Sequence, residues 1–304
     1  MSSTEPNATD WQTQPERGSP FLVWLIRWIA LNLGRRPARA LLYPITLYFF
    51  LFASTPRRAS RAYLSRLRGR PARQRDVFRH IHCFASATLD RVFLLAGRED
   101  ALDIHLHGLE RLEACLDRNQ GVLILSAHVG SFESLRALAR RRPELNIKVL
   151  MEAGQNPMIT GLLHELAPDI AGMVIPLGGV DSLIRIEAAL REGAIVGVLA
   201  DRRVAGDRCL QVPFMGRTAA FPQGPFLLPL LTGAPVVLAF GLHDGGNRYD
   251  LHFEVIPTPG RVERARRQAE MQHLAEAFAG RMEHHLGQAP YNWFNFYDFW
   301  GQEA

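Results

Sequence analysis

Cysteine is scarce in this 304-residue chain, and the three present, Cys83, Cys115 and Cys209, stand far apart with no C-x-x-C pair among them. An odd, scattered set excludes a disulfide framework and a structural zinc site, and fits the reduced thiols of a cytosolic protein. Lysine is almost missing: Lys148 is the only one against 34 arginines. The choice of arginine over lysine therefore carries little meaning, and only its placement is informative. No Asp or Glu occurs between Arg17 and Arg75, a stretch with 13 arginines, whereas the rest of the chain has 22 basic and 30 acidic residues. The formal net charge of +5 is thus a local property of the N-terminal region. No G-x-S-x-G elbow occurs, which argues against a serine hydrolase despite Ser131 and the many histidines. No charged-then-apolar leader opens the chain either; Met1 to Pro20 is polar and turn-rich and is predicted to be a disordered tail.

What the acid-free region does contain is two apolar runs, Phe21 to Leu33 and Ala40 to Ala53, of 13 and 14 residues. Each falls short of the roughly 20 residues of a membrane span. The composition predicts helices lying in a lipid interface, with Trp24, Trp28, Tyr43 and Tyr48 at headgroup level and Arg27 snorkelling from an apolar face. Arg57, Arg58, Arg61, Arg66, Arg68, Arg70, Arg73 and Arg75 follow and would hold residues 21–75 to an anionic phospholipid surface. Nucleic acid is not the expected partner, because no recognition-fold signature or interleaved stacking aromatics accompany the arginines.

From residue 76 to 304 the pattern is that of an α/β domain with a mixed, largely parallel central sheet flanked by helices. A helix is predicted over Asp76–Gly97. Strands are predicted at Ile104–Leu106, Val122–Ser126, Ile147–Met151, Met173–Ile175, Ile195–Leu199, Val236–Gly241 and Leu251–Ile256. Helices are predicted at Gly108–Asp117, Phe132–Arg142, Met158–Leu166, Val180–Arg191, Phe226–Thr232 and Val262–Leu286. The C-terminal segment YNWFNFYDFW has seven aromatic residues in ten and reads as a closing strand with one buried face.

The chemistry concentrates in LSAHVGSFE. Val122–Ser126 reads as a buried strand, and the carboxyl end of such a strand is where α/β sheets bind ligands. His128 sits in that turn. Ser131 is a candidate N-cap, Gly130 leaves room for a substrate, and Glu133 is placed to reach back to one imidazole nitrogen. A histidine so oriented takes a proton from a hydroxyl as the oxygen attacks a carbonyl, and the first N–H groups of the following helix would steady an oxyanion. His80-x-His82 and His105-x-His107 are closely spaced histidine pairs, and without an evident third ligand no metal is expected.

HVGSFE matches the H-x-x-x-x-D/E motif of the lysophospholipid acyltransferase-like superfamily, and the chain resembles its branch of lipid A biosynthesis lauroyl/myristoyl acyltransferases. The order of further blocks carries the resemblance over about residues 20–300: a basic apolar N-terminus, Asn156-Pro157, LADRR, VPFMGRTAAFPQG and TGAPVVLAF. It implies an α/β core with an N-terminal membrane helix at the cytoplasmic face of the bacterial inner membrane. It also implies direct attack by the hydroxyl of a membrane lipid on the thioester of an acyl carrier protein or CoA, with no other cofactor. Position by position, His128 becomes the general base and Glu133 its partner. Asp201, Arg202 and Arg208 become an acidic and basic block for substrate phosphate, and Phe214, Gly216, Pro222 and Gly224 shape the acyl pocket. The family has an arginine where this chain has Met151-Glu152, so the acceptor implied is a glycolipid or lipid A-type molecule that need not be a dianionic lipid A precursor. A glycerophospholipid or ornithine-lipid acyltransferase is the nearer alternative, although ADRR replaces the E-G-T-R block of the glycerophospholipid branch. A catalytically silent membrane-binding protein is the more distant one.

Overall fold

The computed structural model describes residues 20–117, 120–134, 142, 144–152, 172–203 and 206–301. Helices α1 (Pro20–Leu33), α2 (Arg35–Phe52) and α3 (Ser54–Arg68) precede the long α4 (Gln74–Leu95). Strand β1 (Asp103–His107) and α5 (Leu109–Leu116) lead to β2 (Val122–Ser126), β3 (Ile147–Glu152), β4 (Val174–Leu177), α6 (Gly179–Arg191) and β5 (Ile195–Leu199). A hairpin of β6 (Cys209–Phe214) and β7 (Arg217–Pro222), then α7 (Gln223–Thr232), β8 (Val236–His243), β9 (Arg248–Ile256) and α8 (Arg267–Gln288) complete the elements. The predicted helix Met158–Leu166 and most of Phe132–Arg142 lie outside the described residues; of the latter, Phe132–Ser134 forms a 3₁₀ turn.

The seven-stranded sheet has the order β1-β9-β8-β2-β5-β3-β4. Every neighbouring pair is parallel except β8 with β9. The α/β class and the mixed, mostly parallel sheet are those expected from the sequence. The central strands are unbroken apolar runs because both faces are covered. Leu123 and Leu125 of β2 join Phe226, Phe278 and Met282 of α7 and α8 on one side, whereas Val122 and Ile124 join Leu112 and Cys115 of α5 on the other. Burying each such aliphatic side chain contributes about 1.5–3 kcal/mol.

The sequence gives no warning of the β6–β7 hairpin, because Pro213, Gly216 and Pro222 punctuate it. Its two-residue turn places Met215 at φ 50° and Gly216 at φ 76°, the doubly positive geometry that suits the twist of an antiparallel pair. The C-terminal aromatic segment departs from the expected strand. It forms no ladder: Trp293 makes an isolated bridge to Val129 and the Asn292 side chain bonds to the backbone of His243 at the end of β8, while Trp293, Phe294, Tyr297, Phe299 and Trp300 are all buried.

The N-terminal helices pack on the body through Ala30, Ala38, Leu42, Leu89 and Phe93. A buried charge fixes the junction: Arg35 reaches both oxygens of Asp90, at 2.6 and 2.7 Å, and the Tyr249 hydroxyl donates to the same carboxylate at 2.9 Å. Among the described residues no single helix is long and apolar enough to cross a membrane, and α2 and α3 meet that measure only together, bent by 93°. Trp24, Trp28, Tyr43, Leu47, Tyr48, Leu51 and Phe52 lie exposed on α1 and α2.

Candidate active site

Strands β2 and β5 are parallel neighbours with Ser126 opposite Leu199. Two residues further on, the chain places His128 beyond one strand end and Asp201 beyond the other, so register alone brings them together. His128 Nδ1 lies 2.8 Å from Asp201 Oδ1, and the His128 backbone N–H donates to both carboxylate oxygens at 3.1 Å. Asp201 is fully enclosed, whereas 28% of the His128 side chain stays accessible.

The protonation pattern follows from these contacts. Burial raises the Asp201 pKa, but the adjacent His128, Arg202 and the Trp293 indole outweigh it and hold the carboxyl below its ordinary value. An ionised carboxylate only accepts, so Nδ1 carries the proton and the lone pair of neutral imidazole sits on Nε2. Nε2 has no partner among the described residues. Burial lowers the His128 pKa, the Arg202 cation lowers it further, and Asp201 opposes both; the net shift is downward from 6.5. Neutral imidazole is therefore the resting form near pH 7. Because the shift is downward, kcat/KM is expected to rise with pH to a plateau, with an acid limb centred below pH 6.5; a limb centred above 7 would contradict this.

Glu133 is the clearest correction. The positive φ of Gly130, 62°, and the single 3₁₀ turn that follows direct its carboxylate to α4, where Arg91 Nε lies 2.8 Å away; Ser131 Oγ donates to its other oxygen at 3.3 Å. The carboxylate on the His128 ring is that of Asp201, 73 residues distant in sequence. Gly130 also differs from expectation. A Cβ there would meet the Gly241 carbonyl at 1.8 Å, so the missing side chain admits backbone and leaves no room for substrate. Of the N–H groups that lead into the turn, Gly130 N–H donates to Asn292 O at 2.7 Å and Ser131 N–H to Gly241 O at 2.8 Å, so neither is open for an oxyanion.

Arg202 adjoins the pair but directs Nη2 to the Phe294 carbonyl at 2.8 Å, and Arg208 is exposed just before β6. Phe214 ends β6 in full burial and packs edge-on against Trp293, with ring centroids 5.4 Å apart. Gly216 occupies the hairpin turn, Pro222 ends β7 and Gly224 lies in the first turn of α7. A cavity of about 320 Å³ beside this block is lined by Phe214 and Gly216 together with Glu276 and Glu283 of α8. His80 is engaged by Ser60 and the Trp293 carbonyl, His82 by Thr46, His105 by Asp103 and His107 by Asp250. Arg91 is one arginine among many and Trp293 one of seven aromatics in the terminal segment, so only their placement ties them to the site.

The sequence matches the family model of the bacterial lipid A biosynthesis acyltransferases over residues 15–301, nearly the whole chain. The chain belongs to this family. It is therefore an acyltransferase, of the lipid A type. No curated protein compared with the chain matches it. In this chain the carboxyl end of the central strand β2, the place where open α/β sheets bind ligands, presents His128.

Proposed function

We propose that the enzyme moves a fatty acyl chain from an acyl carrier protein thioester to a hydroxyl of a glycolipid or lipid A-type acceptor at the cytoplasmic face of the bacterial inner membrane. The observation that carries this reading is a partly accessible imidazole whose Nδ1–H is held by a buried carboxylate and whose Nε2 has no partner among the described residues. Nε2 takes the proton of the acceptor hydroxyl as its oxygen bonds to the thioester carbonyl carbon. The tetrahedral intermediate collapses, the carbon–sulfur bond breaks, and the imidazolium returns its proton to the departing thiolate. Asp201 fixes the tautomer and stabilises the imidazolium that forms. Glu133 keeps a supporting role through Arg91, whose charge faces His128 as well. Glu152 ends β3 on the same carboxyl edge of the sheet, the position where the family's arginine would stand, and favours an acceptor with less negative charge there.

Two measurements test the reading. Lipid mass spectrometry of cells with and without the gene should show one acyl chain missing from a single lipid class, and an unchanged lipid profile would exclude it. Asp201→Asn should lower kcat by about a hundredfold or more, because an amide can present its N–H₂ to Nδ1 and select the wrong tautomer.

Attachment to lipid belongs to the same proposal. On α2 the exposed Tyr43, Leu47, Tyr48, Leu51 and Phe52 recur on one helical face, and Arg57, Arg58 and Arg61 of α3 follow directly. The protein should co-sediment with vesicles containing phosphatidylglycerol. Leu47→Ser combined with Leu51→Ser should weaken that binding at least about tenfold. Equal sedimentation of the double variant would remove this surface from consideration.

A further inference from the structure

Trp293 is fully buried and lies in the irregular segment after α8, yet its indole is the third donor to the catalytic carboxylate: Nε1–H reaches Asp201 Oδ2 at 3.1 Å. Oδ1 serves the His128 ring and Oδ2 the indole, so the two partners together fix the plane of the carboxylate. The residues on either side of Trp293 bond to the same turn, Asn292 O accepting from Gly130 N–H at 2.7 Å and Phe294 N–H donating to His128 O at 2.9 Å. The indole is itself held on two sides. Tyr63, Phe214 and Phe299 pack edge-on around it with centroids 4.9 to 5.4 Å away.

Its carbonyl accepts from His80 Nε2 at 2.7 Å, and His80 Nδ1 in turn faces Ser60 Oγ of α3 at 2.8 Å. Burial pushes the His80 pKa down to about 4, so the ring is neutral. Because a carbonyl only accepts, its proton sits on Nε2 and Nδ1 takes the hydroxyl hydrogen of Ser60. One continuous set of hydrogen bonds therefore runs from the N-terminal helices through His80, Trp293 and Asp201 to His128.

We propose that Trp293 is a positioning residue for acyl transfer, its indole N–H orienting the Asp201 carboxylate so that Oδ1 directs His128 Nε2 toward the acceptor hydroxyl. The inference rests on the reading of His128 as the base. Packing alone would need only an aromatic ring at this place; the aimed N–H is what the carboxylate uses.

The test replaces the N–H and little else. Site-specific incorporation of benzothienylalanine at position 293 keeps the bicyclic ring and puts sulfur where the N–H was, and Trp293→Phe is the simpler companion. Activity is read as transfer of a palmitoyl group from palmitoyl–acyl carrier protein to membranes of cells lacking the gene. The sulfur isostere should lower kcat about tenfold, the loss of one hydrogen bond to a charged group, with KM for the donor within about twofold. The acid limb of kcat/KM should move to higher pH. A carboxylate with one donor fewer is more basic and holds the His128 proton more tightly, while the other charges facing the ring, Arg202 and Arg91, are unchanged, as is the Glu133 paired with Arg91.

A merely structural role would lower thermal stability without moving that limb. An isostere with unaltered kcat and pH profile overturns the proposal, and if Trp293→Phe fails to fold the isostere alone decides. Asp201→Asn in the same assay separates the two levels. If it is inactive while the isostere is normal, only the role of Trp293 falls; if it is fully active, the reading of the pair falls with it.

Discussion

His128→Ala is expected to lower kcat by about a thousandfold, with little change in melting temperature. General-base catalysis contributes roughly 10² to 10⁴ in rate, and here no described side chain stands ready to replace the base. Nδ1 and the backbone N–H both belong to the Asp201 contact, so truncation removes the ring but leaves the backbone bond that shapes the turn. The fold should survive, since the His128 side chain is the accessible member of the pair and lies outside the packed core. Transfer of a labelled acyl chain to membrane lipid, followed beside a thermal melt, checks both halves. Wild-type turnover in a folded His128→Ala protein would remove the proposed chemistry altogether.

Gly130→Ala should have the largest effect on stability of any single methyl addition near the site. Its φ of 62° is unfavourable for an L side chain, and the new Cβ would stand 1.8 Å from the Gly241 carbonyl and 3.1 Å from Asn292 Oδ1. The first of these is backbone of β8, a central strand with its whole length buried, and it cannot yield cheaply. A loss of about 3 kcal/mol or more is expected, seen as a fall of roughly 6 °C in Tm. Gly130 lies two residues from His128, so the same strain should displace the imidazole and depress kcat by about a hundredfold. A variant that melts within about 1 °C of the parent would show that the turn has an unstrained alternative.

The limits of the sequence follow from what each segment encodes. Val122–Ser126 and Ile195–Leu199 are legible as strands to the residue, because burial on both faces leaves an unbroken apolar run. His128 is legible for the same reason: it directly follows one of those runs. Its partner is not. Five residues of separation make Glu133 the natural local choice, whereas the carboxylate that meets the ring depends on which strand lies beside β2, and no local pattern records strand order. The sequence offers Asp201 only as part of a block for substrate phosphate, and its place beside β2 is what sets its carboxylate on the His128 ring. The terminal aromatics show a second limit. Density of rings predicts burial correctly, but the direction of one indole N–H is set by the turn it docks against and leaves no trace in composition. The β6–β7 hairpin is obscured by its own prolines, which suppress a strand reading although Pro222 ends β7 and Pro213 is the last residue but one of β6.

The register of β2 against β5 has a mechanical consequence. A base carried on a mobile loop can swing to meet a substrate, but His128 and Asp201 each emerge two residues beyond a hydrogen-bonded pair in the middle of the sheet. Their separation is as stiff as the sheet itself, and a slip of one residue would bring a different side chain to face the imidazole. On the proposed reading of His128 as the base, the acceptor hydroxyl has to travel to an imidazole that cannot advance toward it.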